Sequence, residues 1–172
     1  MADLNKAILY VFRNEDRKMT GAVTTDRGGK TRFGVAQKFH PDMDPSFYTC
    51  PAWEALAQAQ QLYKNVYCLP LLIGKITFQP IANKLLDIGV NCGVDVATRM
   101  AQTGVTNLGV PVAIDEHMGP ATVAAVNKVD ATKLMSQLIV QSQDHYRQVA
   151  ADLKASPDEI ASWLTRASKP GV

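Results

Sequence analysis

The stretch that decides the fold is EDRKMTGAVTTDRGGKTRFGVAQKFHPDMDPS, residues 15–46. It is rich in Gly, Thr and charged residues, and Pro41 and Pro45 interrupt it near its end. These residue types favour turns, so the segment predicts a loop with at most a short hairpin near residues 23–34 and a short helical piece after it. Long irregular segments in compact domains are uncommon and tend to carry function. We therefore expect the functional site here.

On both sides of this segment the pattern of apolar residues is helical. Apolar side chains at positions 4, 7, 8, 11 and 12 share one face, which predicts an opening helix that ends near Asn14. Gly104 is expected to end a helix, and Ser156, Pro157 and Glu159 form a capping-box pattern that starts another. Further helices are predicted over residues 51–67, 81–90, 95–103, 120–128 and 130–154. The fold is therefore expected to be mainly α.

Length and composition narrow the classes of protein. A chain of 172 residues with 47% hydrophobic and 20% charged residues is typical of one globular domain. The net charge of +2 is too mild to indicate nucleic-acid binding. No run approaches the ~20 apolar residues of a membrane-spanning helix, and residues 1–18 show no secretory signal pattern. We therefore expect a protein made in the cytoplasm, without stable insertion into a membrane.

Metal and nucleotide sites are not indicated. Cys50, Cys68 and Cys92 form no CxxC pair and have no metal-ligand spacing with the histidines, so we expect buried thiols, no metal and no cofactor. The Gly29-Lys30-Thr31 tripeptide lacks the Gly that a phosphate-binding loop needs five residues earlier, where Thr24 stands. No G-x-S-x-G nucleophile pattern occurs.

Glu15 is the candidate general acid. It closes the first predicted helix, where a carboxyl faces the negative end of the helix macrodipole, which disfavours its ionised form. A protonated carboxyl is what cleavage of a glycosidic bond requires. Basic neighbours at positions 13, 17 and 18 act the other way if they point at Glu15, and this balance stays open. Asp26 and Thr31 flank a Gly-bearing turn, from which both are expected to line one wall of the same cleft.

Several segments together resemble one family. Residues 14–17 (NEDR) and 25–35 (TDRGGKTRFGV) resemble the opening of glycoside hydrolase family 108, peptidoglycan-degrading lysozymes found among phage endolysins. Later landmarks of that family follow in the same order, at residues 62–67 (LYKNVY), 87–93 (DIGVNCG), 115–122 (DEHMGPAT), 145–146 (HY) and 163–166 (WLTR). The resemblance covers nearly the whole chain.

The resemblance implies a lysozyme-like helical domain over residues 1–172, with a catalytic half at 1–104 and a helical half at 105–172 similar to a peptidoglycan-binding segment. It implies that Glu15 is the catalytic acid and that Asp26 and Thr31 complete the catalytic group. The candidate substrate-binding residues are Asp87, Asn91, Tyr63 and Tyr67. For these four, packing or hydrogen bonding in the core is the alternative.

The implied activity is cleavage of the β-1,4 bond between N-acetylmuramic acid and N-acetylglucosamine in peptidoglycan glycan strands. N-acetylglucosaminidase or lytic transglycosylase action, a non-catalytic peptidoglycan-binding module and a purely structural helical protein are the alternatives. Two departures from the family pattern affect substrate fit: Asp16-Arg17 stands where the family has Gly-Gly, and Asp115-Glu116 stands where it has Asp-Gly.

The same resemblance suggests an antibacterial role. The departures from the family pattern are what we expect of a relative adapted as an antibacterial toxin, for example a type VI secretion effector. Such an effector is expected to reach the periplasm of a competitor and to be neutralised by a cognate immunity protein that occludes the active site. A phage endolysin released through a holin is the alternative. In both cases the protein is expected to act on the cell wall from the periplasm.

Overall fold

The computed structural model describes residues 1–16, 18–26 and 29–172, with the backbone alone at Asp26. The elements of the first part are α1 (Leu4–Glu15), β1 (Thr24–Asp26), β2 (Gly29–Arg32), β3 (Val35–Ala36), a 3-10 helix (Pro45–Tyr48), α2 (Ala52–Tyr63) and a π-helical turn (Lys64–Cys68). Those of the second part are a 3-10 helix (Ile73–Lys75), α3 (Gln79–Cys92), α4 (Val94–Asn107), α5 (Pro120–Lys128), α6 (Ala131–Leu153) and α7 (Pro157–Ala167). The prediction of a mainly α, lysozyme-like fold is confirmed.

Helix α1 carries Glu15 on its last turn. Its N-terminus is capped by Asp3, whose carboxylate accepts hydrogen bonds from the backbone N–H groups of residues 5 and 6. Its apolar face is buried against α3. The helix ends because the backbone turns to an extended conformation at Asp16, whose N–H still donates to the Phe12 carbonyl. Glu15 is therefore the last helical residue, as the sequence indicated.

The segment after α1 folds into a small antiparallel sheet in the order β1-β2-β3. Buried Arg32 fastens this sheet to its surroundings: Nε donates to the Gly21 carbonyl at 2.7 Å, and Nη1 donates to the carbonyls of Phe47 and Cys50 at 2.7 and 2.8 Å. A buried guanidinium with three backbone partners holds an irregular segment in one conformation. The predicted hairpin and the helical piece after it are both confirmed.

Helix α3 lies at the centre of the core, where it contacts α1, α4 and α6. The expectation that Gly104 ends α4 is wrong, because the helix continues to Asn107. A Cβ at position 104 would lie 2.8 Å from the Leu134 Cδ1 atom of α6. This glycine therefore allows two helices to approach closely. The predicted boundary between residues 104 and 105 falls inside α4, and the assignment of the two halves stays a prediction.

Two buried polar contacts attach the last residue of α7 and the segment after it to α3. The Lys84 ammonium, which is fully buried, donates to the Ala167 carbonyl at 2.6 Å, and the Asn83 amide donates to the Gly171 carbonyl at 2.7 Å. Burial lowers the pKa of Lys84 to about 8, although the nearby Asp87 carboxylate acts against this shift. These contacts hold the end of α7 against α3.

Replacing Lys84 with Met is expected to change how stability depends on pH. In the folded state the pKa of Lys84 is about 8, below its ordinary value of 10.5. Between these values the unfolded chain binds more protons, so this group makes the free energy of unfolding rise with pH, by about 1 kcal/mol per pH unit. Urea denaturation between about pH 8 and pH 10 measures the slope. The Met variant should lack this contribution, and equal slopes would contradict it.

None of the helices in the described ranges is both long and apolar enough to cross a membrane. The three cysteines are free thiols; Cys68 is buried, as expected, whereas Cys50 and Cys92 are half-buried.

Candidate active site

Glu15 is held by a guanidinium from the opposite end of the chain. Arg166 of α7 places Nη1 2.5 Å from Glu15 Oε1 and Nη2 2.8 Å from Asp87 Oδ1. The side chains of Glu15, Arg166 and Asp87 are 23%, 16% and 4% exposed. Arg166 therefore pairs with two carboxylates, of which Glu15 is reached by solvent and Asp87 is buried.

A second layer of contacts fixes Asp87 and Arg166. The Asn14 amide donates to Asp87 Oδ1 at 3.0 Å, and Lys169 Nζ donates to Asn14 Oδ1 at 2.7 Å. Burial acts against the charge on Arg166, but the carboxylates of Asp87 and Glu15 outweigh it and raise the pKa of Arg166 above its ordinary value. Arg166 is therefore a fixed cation beside Glu15.

Replacing Asp87 with Asn is expected to lower the free energy of unfolding by about 3 kcal/mol, the lower end of the range for a broken buried ion pair. The Arg166 guanidinium would lose its buried partner and keep only Glu15, whose side chain is 23% exposed. Asp144→Asn is the matched control. It breaks the Arg147–Asp144 pair, whose side chains are 56% and 67% exposed, and exposed pairs contribute about 0–1 kcal/mol. Chemical denaturation of both variants measures the difference, and equal losses would contradict the structural role of Asp87.

Gly34 allows the sheet to approach the Glu15 side chain. Its φ is +75°, and a Cβ there would lie 2.7 Å from Glu15 Cγ and 2.5 Å from the Tyr63 hydroxyl oxygen. The Tyr63 hydroxyl donates to the Phe33 carbonyl at 3.2 Å. Burial and the negative charge of Glu15 raise the pKa of Tyr63 well above its ordinary value, so the phenol stays neutral. Glu15 is therefore packed between Gly34 and the Arg166 guanidinium.

Three adjoining cavities share Glu15 as a lining residue. The largest, about 870 Å³, extends towards α6 and α7 and includes Tyr146, Trp163 and Arg166. The second, about 630 Å³, passes over the sheet, with Thr31 and Trp163 in its lining. The third, about 370 Å³, lies on the β1 side and also includes Thr31. Glu15 therefore faces a groove that reaches from α7 to the sheet.

Thr31 lines the same cleft as Glu15, the position that its place next to a Gly-bearing turn predicts. It lines the second and third of these cavities, and its buried hydroxyl has no hydrogen-bond partner among the described residues. A buried hydroxyl without a partner is unusual in a folded protein. The side chain of Asp26 lies outside the described residues, so its catalytic role stays a prediction.

The predicted substrate-binding residues divide into two pairs. Asn91 is exposed and lines the first two cavities, and Tyr67 lines a further one of about 350 Å³ and hydrogen bonds through its hydroxyl to His40 Nε2 at 3.2 Å. Asp87 and Tyr63 are buried and line none of the cavities described here. The structure places these two in the core, next to Arg166 and Glu15, and their role in substrate binding stays a prediction.

Asp16, which departs from the family pattern, organises the loop after α1. Its carboxylate accepts hydrogen bonds from the Gly21 and Lys18 N–H groups at 2.9 and 3.1 Å and from the Thr20 hydroxyl at 3.0 Å. Burial acts in the opposite direction, but these bonds lower the pKa of Asp16 below its ordinary value. The negative charge of Asp16 is therefore stabilised by hydrogen bonds from residues 18–21.

No group of three or more His, Cys, Asp or Glu side chains that could hold a metal ion occurs among residues 1–16, 18–25 and 29–172. Among the described residues, Glu15 and Thr31 line the cavity over the sheet, and Arg166 contacts Glu15. The sequence patterns predict no functional role for Arg166 or for Phe39, an exposed aromatic residue at the same groove. Arg166 belongs to a segment that resembles the family, but nothing local shows which carboxylates it pairs with.

The carboxyl of Glu15 lies at the end of the first helix and faces a groove in a mainly helical fold. Residues 10–93 match the glycosyl hydrolase 108 family, and this range contains both Glu15 and Thr31. The chain is therefore similar to this family over residues 10–93, just under half of its length, and this similarity makes it a lysozyme-like glycoside hydrolase.

The fold is similar to a solved structure of Brucella abortus SagA. The TM-score is 0.64 at 18% sequence identity, and the similarity covers 95% of this chain and 92% of that chain. The shared architecture therefore extends well beyond residues 10–93, the range that matches the family. No curated protein sequence gives a match to the chain.

Proposed function

We propose that this protein cleaves the β-1,4 bond between N-acetylmuramic acid and N-acetylglucosamine, with Glu15 as the general acid. The observation that carries the proposal is the position of Glu15, at the end of α1, in contact with Arg166 and lining three adjoining cavities. A general acid must reach the oxygen that it protonates. The groove supplies that access on both sides of the carboxyl.

Arg166 assists the proton transfer because it has two carboxylate partners. When Glu15 carries the proton, the guanidinium keeps its contact with Asp87. When the proton moves to the glycosidic oxygen, Glu15 becomes a carboxylate directly beside Arg166. An interaction that strengthens as charge develops lowers the barrier of the chemical step. This contact therefore supports proton donation.

Thr31 is proposed to orient the attacking water. Its hydroxyl is buried, is unpaired among the described residues and lines two of the cavities that Glu15 lines. A general acid on one side of the bond and a positioned water on the other are the elements of single-displacement glycoside hydrolysis. Asp26, which follows the family pattern, is proposed as the second carboxyl of the site.

Digestion of purified peptidoglycan sacculi tests the proposal. Soluble muropeptides should appear, and after borohydride reduction their terminal sugar should be the reduced form of N-acetylmuramic acid. Reduced N-acetylglucosamine at the terminus would indicate an N-acetylglucosaminidase, and anhydro-muropeptides would indicate a lytic transglycosylase. Sacculi that bind the protein but release nothing would identify a peptidoglycan-binding module and overturn the proposed reaction.

The delivery route is proposed from the substrate, since peptidoglycan lies in the periplasm. We propose that the protein reaches it as a type VI secretion effector, with a cognate immunity protein that covers the groove beside Glu15; release through a phage holin is the alternative. A neighbouring gene for a small secreted protein that binds this chain and blocks sacculus digestion would support the first route. Neighbouring holin and spanin genes would support the second.

A further inference from the structure

Phe39 is an exposed aromatic residue at the groove. It follows β3, its side chain is 71% exposed, and it lines the two largest cavities that Glu15 lines. The turn that carries it is fixed by backbone hydrogen bonds: the N–H groups of Phe39 and His40 both donate to the Ala36 carbonyl, at 3.0 and 3.1 Å. Its ring is therefore presented to the groove on a defined backbone.

Trp163 lines the same two cavities from a different element. It lies on α7, is half-buried, and its ring centroid is 6.0 Å from that of Tyr146. Single exposed apolar residues are common on protein surfaces and need no explanation. Here two aromatic residues, far apart in sequence, meet at cavities that also contain Glu15 and Asn91. This coincidence points to a ligand with apolar faces.

A sugar ring with equatorial substituents has such faces. Its C–H groups form an apolar surface, whereas its hydroxyl and acetamido groups point outward to polar partners. Aromatic side chains bury apolar surface at little cost in conformational entropy. The exposed amide of Asn91, which lines both cavities, is a polar partner at the edge. The Lys38 ammonium lies over one face of the Phe39 ring, 5.9 Å from its centroid, which leaves the opposite face for a sugar.

We propose that Phe39 and Trp163 form a sugar-stacking platform, on which N-acetylhexosamine rings of the glycan strand rest beside the bond that Glu15 protonates. This inference rests on the proposed function, because the occupant is the same glycan. The platform binds the glycan equally well in the ground state and in the transition state. It therefore determines affinity for the glycan and leaves the proton transfer to Glu15.

Binding to sacculi tests the platform separately from catalysis. Glu15→Gln serves as the background, since its binding does not require turnover. Adding Phe39→Ala should weaken binding at least about 10-fold, because an aromatic face no longer covers apolar sugar surface. Phe39→Trp should retain binding, whereas Phe39→Leu, which is apolar but not flat, should behave like Phe39→Ala. Trp53→Ala is the control: Trp53 is 73% exposed and lines none of the cavities described here.

The active protein provides a second readout. Phe39→Ala should raise KM for sacculi and leave kcat nearly unchanged, as expected when an interaction contributes equally to the ground state and the transition state. The platform is overturned if Phe39→Ala binds as tightly as the Glu15→Gln background, if Phe39→Leu binds as well as Phe39→Trp, or if the background does not bind sacculi. Binding that depends on Phe39 in a parent that releases no muropeptides would refute the proposed reaction and retain the platform.

Discussion

Replacing Glu15 with Gln is expected to lower the rate of muropeptide release from sacculi by at least about 10²-fold. The amide keeps the shape of the side chain but cannot donate the proton that the leaving oxygen needs, and general acid catalysis contributes 10²–10⁴-fold in typical enzymes. Initial rates of sacculus solubilisation, with products identified by mass spectrometry, measure the effect.

Glu116→Gln is the matched control for Glu15→Gln. It makes the same chemical change and also removes the carboxylate of a Glu–Arg ion pair, since Glu116 pairs with Arg99. That pair is 42% and 45% exposed, and Glu116 lines none of the cavities described above. The Asp115-Glu116 departure from the family pattern therefore lies outside the groove at Glu15, and the activity of Glu116→Gln should equal that of the parent. Parental activity in both variants would show that Glu15 is not the acid.

The second large effect is expected for Gly34→Ala, with a loss of about 10²-fold in rate. The new Cβ would lie within 2.7 Å of Glu15 Cγ and within 2.5 Å of the Tyr63 hydroxyl oxygen. Real Cβ atoms do not approach other atoms so closely, so the Glu15 side chain or the turn must move. A displacement of about 1 Å at a reacting group can lower the rate by about 10²-fold. Sacculus digestion under the same conditions measures the loss.

Gly29→Ala separates displacement of Glu15 from backbone strain. Gly29 also has a positive φ, +82°, so both substitutions impose the left-handed conformation on Ala, at about 1–2 kcal/mol. Among the described residues, however, a Cβ at position 29 would have no contact shorter than 3.8 Å, the distance to Gln37. Gly29→Ala should therefore lose stability and keep its rate. If both variants lose the same activity, strain in the hairpin explains the effect and the contact with Glu15 does not.

Local patterns predicted most of the elements. The apolar stripe of α1, the capping box before α7 and the Pro- and Gly-rich segment between α1 and α2 each depend on residues close together in sequence. Gly104 shows where such reasoning fails. A glycine near the end of an apolar run indicates a helix end, but here it removes a side chain where α4 contacts Leu134 of α6. That reason exists only in the tertiary structure.

The candidate site was predicted only in part, because some of its contacts exist only in the tertiary structure. Glu15 follows from its place at the end of a periodic helix, and Thr31 from a Gly-bearing turn. The contact of Glu15 with Arg166 joins the two ends of the chain, and no local pattern specifies it. Phe39 lies in an irregular turn without periodicity, so its exposure at the groove could not be derived from its neighbours.

A structure of the Glu15→Gln variant with a peptidoglycan tetrasaccharide tests the central claim most directly. The account predicts a glycan in the groove between the sheet and α7, with a bridging oxygen about 3 Å from the side chain at position 15. A glycan that binds elsewhere, or a bridging oxygen that only another acidic side chain can reach, would contradict it.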